Sequence, residues 1–275
     1  MPPANLIVDT ASSGVVNMAR DEALLQWAGC GDGVLTLRFY AWNPATISLG
    51  YFQGYDEIKA VDPPAAELPV VRRTTGGGAI LHDQEITYSL TLPARHQLVA
   101  EDPNRLYRLA HAAIIEAVGH GSRPFGDAHC GSCGESSRRG PFFCFARRHP
   151  LDVVVDRPGS PAGTAKVAGS AQRRTPLAIL QHGSIMLESR YPQQPVATWS
   201  ELEGRSISFA EASQRLTRSF AAVLGCEFRR IVWPPSLLEI ADQARQRYES
   251  DAWTVDRRRE PGPIDGAATP PSADA

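Results

Sequence analysis

Residues 72–89 read RRTTGGGAILHDQEITYS, and the fold turns on this stretch. Three consecutive glycines, Gly76, Gly77 and Gly78, follow two arginines and two threonines. Lacking Cβ atoms, such a segment can take positive φ and bring its backbone close to a ligand. Successive N–H groups along it can form a concave anion nest. The run then becomes a strand. From Ile86 to Leu92, Ile86, Tyr88, Leu90 and Leu92 alternate with Thr87, Ser89 and Thr91, the period of two expected of a half-buried strand. His82 and Asp83 lie between loop and strand. The spacing supports neither a GxGxxG nor a GxxxxGK[ST] nucleotide motif. From these residues alone, a glycine-rich hairpin connection with solvated arginines is the plain alternative.

Upstream, residues 12–27 predict a helix capped by Ser12 or Ser13, with Val15, Met18, Ala19 and Leu25 inward. Residues 34–40 (VLTLRFY) predict a strand, followed by a turn at Asn43-Pro44 and a second strand, TISLGYF. Three prolines in 62–69 predict a loop before a short strand, PVVRR. Downstream, Asp102 as N-cap with Pro103 at N1 opens a helix carrying Leu106, Leu109, Ala110, Ala113, Ile114, Ala117 and Val118, closed by Gly119. Residues 120–142 read as irregular, 151–156 (LDVVVD) as a strand, 157–165 as a loop, and the second half of 166–187 as a strand. Ser208 with Glu211 and Ser236 with Glu239 match the capping-box spacing of two further helices. Strands and helices do not alternate as βαβ units. The expected class is α+β, a mixed, largely antiparallel sheet flanked by helices. One domain over 1–256 and a disordered tail over 257–275 are expected.

With 275 residues, 43% of them hydrophobic, the chain can bury a large core. A net charge of −2 gives no bulk nucleic-acid footprint. No apolar run reaches the roughly 20 residues that span a bilayer. The N-terminus lacks the basic and apolar regions of a signal peptide, and five cysteines do not make a disulfide scaffold. A cytoplasmic setting, with neither membrane nor nucleic acid as partner, is the expectation.

RFYAWNPATISLGYFQ, RRTTGGGAILHD, KVAGSAQRR and ILQHGSIML follow one another in the chain. In that order they resemble the biotin/lipoate protein ligase catalytic-domain family, over roughly residues 5–254. The resemblance implies a fold related to class II aminoacyl-tRNA synthetase cores and a medium-chain acyl ligand in an apolar tunnel. Within the family the chain looks most like the LipM-type octanoyltransferases. There a nucleophilic cysteine followed by Phe precedes an apolar strand and the motif lysine, the order here of Phe143-Cys144-Phe145, Leu151–Val155 and Lys166.

What the resemblance implies is an octanoyl transfer in lipoate biosynthesis. Cys144 takes octanoyl from octanoyl acyl-carrier protein as a thioester, and a lysine of a lipoyl-domain protein, such as the glycine cleavage H protein, receives it. No cofactor is needed. ATP and magnesium enter only under the alternative of a lipoate-protein ligase; a third reading moves octanoyl between lipoyl domains. Lys166 supplies a cation beside the sulfur. N–H groups of Gly76, Gly77 and Gly78, or of Gly169, Ser170 and Ala171, offer an oxyanion site. Arg73 is a further candidate substrate ligand. His82 is either a structural histidine or a proton handler. Arg72, Arg73, Arg173 and Arg174 either meet the carrier protein or are solvated. No metal is expected, although His129, Cys130 and Cys133 have a zinc-like spacing that, with Cys144 as fourth ligand, would consume the nucleophile.

Overall fold

The structure, a computed structural model, describes residues 2–30, 34–100, 102, 104–126, 141–160 and 163–258. In chain order its elements are β1 (Pro3–Val8), α1 (Gly14–Cys30), β2 (Thr36–Tyr40), β3 (Thr46–Leu49), β4 (Val70–Arg72), β5 (Ile80–His82), β6 (Glu85–Pro93), α2 (Arg105–Val118) and β7 (Arg123–Pro124). There follow β8 (Val153–Asp156), β9 (Thr164–Arg174), β10 (Ala178–Met186), α3 (Trp199–Glu203), α4 (Phe209–Leu224), β11 (Glu227–Arg230), α5 (Pro235–Glu249) and α6 (Asp251–Thr254). Eight strands form one sheet in the order β11-β1-β2-β6-β10-β9-β8-β7, and β4-β3-β5 form a smaller one. In the large sheet β1 runs parallel to β11 and β2, and the remaining pairs are antiparallel. This is the expected α+β class, a mixed and mostly antiparallel sheet flanked by helices.

The strand that follows the glycine triplet is central. Ile86, Tyr88, Leu90 and Leu92 of β6 join Leu106, Ala110, Ile114, Leu216 and Phe220 of α2 and α4 in the main core. Burial of each such side chain contributes about 1.5–3 kcal/mol. The expectation of a half-buried strand is corrected: every residue of β6 is buried. The hydroxyl-bearing face does not meet water because α1 packs over it, and Thr87 there accepts the Trp42 indole N–H at 2.8 Å.

Local signals explain most boundaries. α2 ends at Gly119, φ 65°, whose N–H donates to the Ile115 carbonyl at 2.8 Å. Its start lies later than expected, with Asn104 as N-cap. The Asp102 carboxylate instead accepts the Asn104 N–H at 2.8 Å in a turn before the helix, and Pro103 lies outside the described residues. Ser208 caps α4 by accepting the Glu211 N–H at 3.1 Å. Ser236 does not cap α5: Pro234 is the N-cap and Pro235 holds the first turn, so Ser236 falls inside the helix. Residues 166–187 also depart from expectation, since their first half is strand as well and pairs with the second as the β9–β10 hairpin. The tail expected over 257–275 lies outside the described residues from 259 onward.

Candidate active site: a cysteine, a buried lysine and a glycine loop

The small sheet delivers the glycine loop. Arg73 follows β4, its N–H donating to the Leu49 carbonyl of β3 at 3.0 Å. Its side chain then turns back under the loop that it precedes. The guanidinium donates to the carbonyls of Gly76 and Gly78, both at 2.7 Å, to Ser48 O at 2.9 Å and to Thr75 Oγ1 at 3.1 Å. Burial draws Arg73 down to about 10, so it stays charged at neutral pH. Because a trans peptide points its C=O and its N–H in opposite directions, the Gly76 carbonyl held by Arg73 turns the Gly77 N–H away from the clasp. Gly77 itself sits at φ 92°, in the region that favours glycine.

Arg72 is fully buried as well. It donates to Gly50 O at 3.1 Å, Gln53 O at 2.7 Å and Thr254 O at 2.7 Å. Both arginines are therefore neither solvated nor open to a partner, contrary to the sequence expectation. A guanidinium carries five donors in a rigid fork, and here backbone carbonyls and, for Arg73, the Thr75 and Ser48 hydroxyls take them.

Cys144 is carried to the same loop. Residues 142–144 run beside Ala79, with a parallel bridge between Ala79 and Phe143. The Cys144 N–H donates to the Ala79 carbonyl at 2.7 Å. A Cβ on Gly78 would lie 3.2 Å from the Cys144 Cα and 3.2 Å from the Arg147 guanidinium carbon, a tight approach that glycine relieves. Cys144 opens a single helical turn, Cys144–Ala146, and is half-buried, packed against Ile80, Phe145 and Met186.

Lys166 reaches this cysteine from β9. Its Nζ stands 3.7 Å from the Cys144 sulfur and 2.9 Å from Asp152 Oδ1, over the Phe145 ring at 5.0 Å. Only 1% of Lys166 is exposed. Burial pushes its ammonium down, but Cys144 and Asp152 outweigh burial and hold it above the ordinary lysine value. The buried ammonium thus sets a positive charge beside the Cys144 sulfur. The lysine stem lies across Gly169, where a Cβ would come 2.4 Å from Cε and 2.6 Å from Nζ.

Behind the loop lies a small cavity, walled by Met18, Tyr40, Trp42, Ile80, His82 and His182. Ile80 belongs both to this wall and to the packing of Cys144. Burial lowers His82, which is therefore neutral, and its Nδ1–H donates to Glu85 Oε1 at 2.9 Å. Its Nε2 then accepts from Ser48 Oγ at 2.7 Å, with the ring stacked 3.7 Å from Trp42. His182 stands between Asp21 Oδ2, 2.9 Å, and Thr75 Oγ1, 2.8 Å. On the opposite face of the sheet, burial pushes His111 down to about 4. Its Nδ1–H donates to the Leu151 carbonyl, its Nε2 accepts the Ser170 hydroxyl at 2.6 Å, and Ser170 accepts from Tyr88 at 2.6 Å.

Of the residues singled out in the sequence, Gly76, Gly77, Gly78, Arg73, Cys144, Lys166 and Gly169 gather at one place. Ser170 turns its hydroxyl to the core, while Ala171 and His82 line the cavity. Arg173 and Arg174 lie at the far end of β9, where Arg174 donates to Gln172 Oε1 at 2.8 Å. His129, Cys130 and Cys133 lie outside the described residues. Among the described residues no group of three His, Cys, Asp or Glu side chains is placed to hold a metal, and no helix is long and apolar enough to cross a membrane. Asp152, Asp21, His182, Glu85 and His111 went unread in the sequence. A signal existed for three of them: Asp152 opens the apolar run VVV, His182 interrupts an apolar strand, and His111 sits on the inner stripe of a helix.

Residues 13–194 match the lipoyl protein ligase A/B catalytic domain. An octanoyltransferase LipM of Brevibacillus brevis is 33% identical, covering 91% of this chain and 98% of the relative. A second, from Geobacillus kaustophilus, is 33% identical over 88% and 94%. Among solved structures, a bi-partite lipoate protein ligase from Thermoplasma acidophilum, described with its E2 lipoyl domain, superposes with a TM-score of 0.70 at 20% identity. That match covers 94% of this chain and 99% of the other. A lipoate-protein ligase A bound with ATP gives 0.68 at 21% identity, covering 93% and 99%. These two likenesses concern the fold.

Proposed function

We propose, from the premise that the chain belongs to the lipoyl protein ligase A/B catalytic-domain family and is an acyltransferase of the octanoyltransferase kind, that it moves octanoyl through a thioester on Cys144. The donor is octanoyl acyl-carrier protein. The acceptor is a lysine of a lipoyl-domain protein such as the glycine cleavage H protein, in lipoate biosynthesis. The observation that carries this reading is the Lys166 ammonium, buried with its Asp152 partner, 3.7 Å from the Cys144 sulfur.

In the first half, the Cys144 thiolate attacks the octanoyl carbonyl carbon. Its C–S bond forms as the carrier's C–S bond breaks, and the carrier thiolate takes a proton from solvent. In the second half, the neutral amine of the acceptor lysine attacks the acyl-cysteine. The C–N bond forms, the C–S bond breaks, and the amine proton passes by way of the departing sulfur to solvent, which restores the thiolate. Lys166 compensates the thiolate in both halves and polarises the acyl carbonyl. The Gly77 N–H, turned away from Arg73, is the loop donor proposed for the oxyanion. The acyl chain enters at the cavity behind the loop, which Met18, Tyr40 and Trp42 help to line.

A cysteine nucleophile divides the transfer, so the acyl-enzyme accumulates when acceptor is withheld. With octanoyl carrier protein alone, the intact mass rises by about 126 Da, one octanoyl replacing hydrogen, and neutral hydroxylamine removes the adduct. Peptide mapping locates it on the peptide holding Cys144, and Cys144→Ser abolishes both adduct and transfer. Octanoylation of a lipoyl domain proceeds without ATP or magnesium. An adduct on Cys130 or Cys133, or modification that requires ATP and free acid, refutes the reading.

A further inference from the structure

We propose that Asp152 is a positioning residue for this transfer, holding the Lys166 ammonium against the Cys144 sulfur; the proposal rests on the Cys144 reading above.

The geometry leaves Lys166 little other support. Its ammonium lies in the interior, where an unpaired charge is costly, and Asp152 is its carboxylate partner at 2.9 Å. The flexible lysine stem has four rotatable bonds, and Gly169 beneath it opens space without directing it. Direction comes from Asp152, which is itself fixed on every polar side. Its Oδ2 accepts the His149 N–H at 2.8 Å, its own N–H donates to the His149 carbonyl at 2.8 Å, and its carbonyl accepts the Phe125 N–H at 2.8 Å. Asp152 also joins the two elements that carry the reacting pair. The chain runs from the Cys144 turn through residues 147–151 into Asp152, and Asp152 immediately precedes β8, which pairs with β9 at Val154↔Lys166. A bulge between Val153 and Val154 shifts that register. Cys144 and Lys166 thus come from separate segments, and Asp152 fixes the distance between them.

The test measures iodoacetamide alkylation of Cys144 in the folded protein at pH 7, with site assignment by peptide mass, alongside octanoyl transfer. Asp152→Asn keeps the side chain's size and its acceptor for the His149 N–H but loses the charge that grips Lys166. Removing a nearby negative charge by itself favours thiolate and speeds alkylation. Loss of position slows it. The expected result is a 10–100-fold slowing, roughly the cost of an ångström of misplacement, with kcat falling in parallel and KM for the acyl donor held. In a Lys166→Met background, Asp152→Asn adds no further loss, because the aspartate acts through the lysine. Asp152→Glu keeps the charge and displaces it by a methylene, so it also slows both reactions even where the Asn variant fails to fold. Alkylation that is unchanged or faster in the folded Asn variant, wild-type rates in Asp152→Glu, or losses that multiply in the double variant overturn the proposal. If the wild-type protein forms no octanoyl adduct at Cys144, the transfer reading fails on its own, while the alkylation cycle still reports on the ion pair.

Discussion

A glycine and a lysine three positions apart decide whether this site is assembled. Lys166 crosses the space that a side chain at position 169 would fill, so Gly169→Ala places a methyl where Cε and Nζ now lie. The atoms it meets are the end of a flexible chain, and the backbone of β9 need not move. The ammonium moves instead. Gly169→Ala therefore keeps its circular dichroism and loses transfer by about 10–100-fold, comparable to other small misplacements; a variant as active as the wild type would show that the ammonium has room to spare. Lys166→Arg tests the same point from the other side. A planar fork does not fit where a compact ammonium meets one carboxylate, one sulfur and one ring. Transfer falls by at least ~100-fold, the scale of losing one oxyanion-type donor, with the fold intact. Near-normal turnover would remove Lys166 from the chemistry.

At the level of elements, the apolar periodicity of β6 and α2 and the Gly119 and Ser208 caps were legible in the sequence because each acts through neighbours within one or two turns. Where two local signals competed, the nearer backbone constraint won. Pro234-Pro235 set the start of α5 ahead of Ser236, and Asp102 made a turn rather than a cap. The site was legible as far as its motifs reach. Cys144, Lys166 and the glycines, singled out in the sequence, lie together in the structure, whereas Asp152 beside Lys166, Asp21 beside His182 and Glu85 beside His82 are pairings no local pattern encodes. For the same reason Arg72 and Arg73 looked like surface charges. His111 on α2 gives a measurable consequence. Its folded value, about 4, lies below the ordinary 6.5, so the unfolded chain binds its proton first as pH falls. The stability it supports is complete above pH 6.5 and is lost as pH falls towards 4, by on the order of 3 kcal/mol. His82 is lowered too and acts in the same sense. Urea midpoints of the wild type and His111→Gln should converge between pH 6.5 and 4; parallel curves would mean His111 titrates alike in both states.

Across the whole molecule, the far end of the described chain closes on the glycine loop through one arginine. Arg72 immediately precedes Arg73, and its guanidinium accepts no compromise with water: it is fully buried. Its donors go to the 50–53 turn on one side and to the Trp253 and Thr254 carbonyls of α6 on the other, and the Trp253 indole returns a hydrogen bond to the Arg72 carbonyl at 2.8 Å. Trp253 also packs against Tyr51 and Tyr248, with ring centroids 5.7 and 6.0 Å away. The helix α6 therefore braces the strand from which the loop and its arginine clasp emerge. Trp253→Ala removes both the packing and the indole donor. Loss of a buried tryptophan costs about 3–5 kcal/mol, and at about 2–4 °C per kcal/mol for a chain of this size, Tm falls on the order of 10 °C. Trp253→Phe keeps much of the packing and forfeits the hydrogen bond, so it falls by only about 1 kcal/mol. Val232→Ala, at a position 86% exposed, leaves Tm where it was. If α6 also sets the loop, octanoyl transfer well below Tm follows the same ranking, with Trp253→Ala slowest. Trp253→Ala with lowered Tm but wild-type transfer would confine α6 to stability and detach it from the loop.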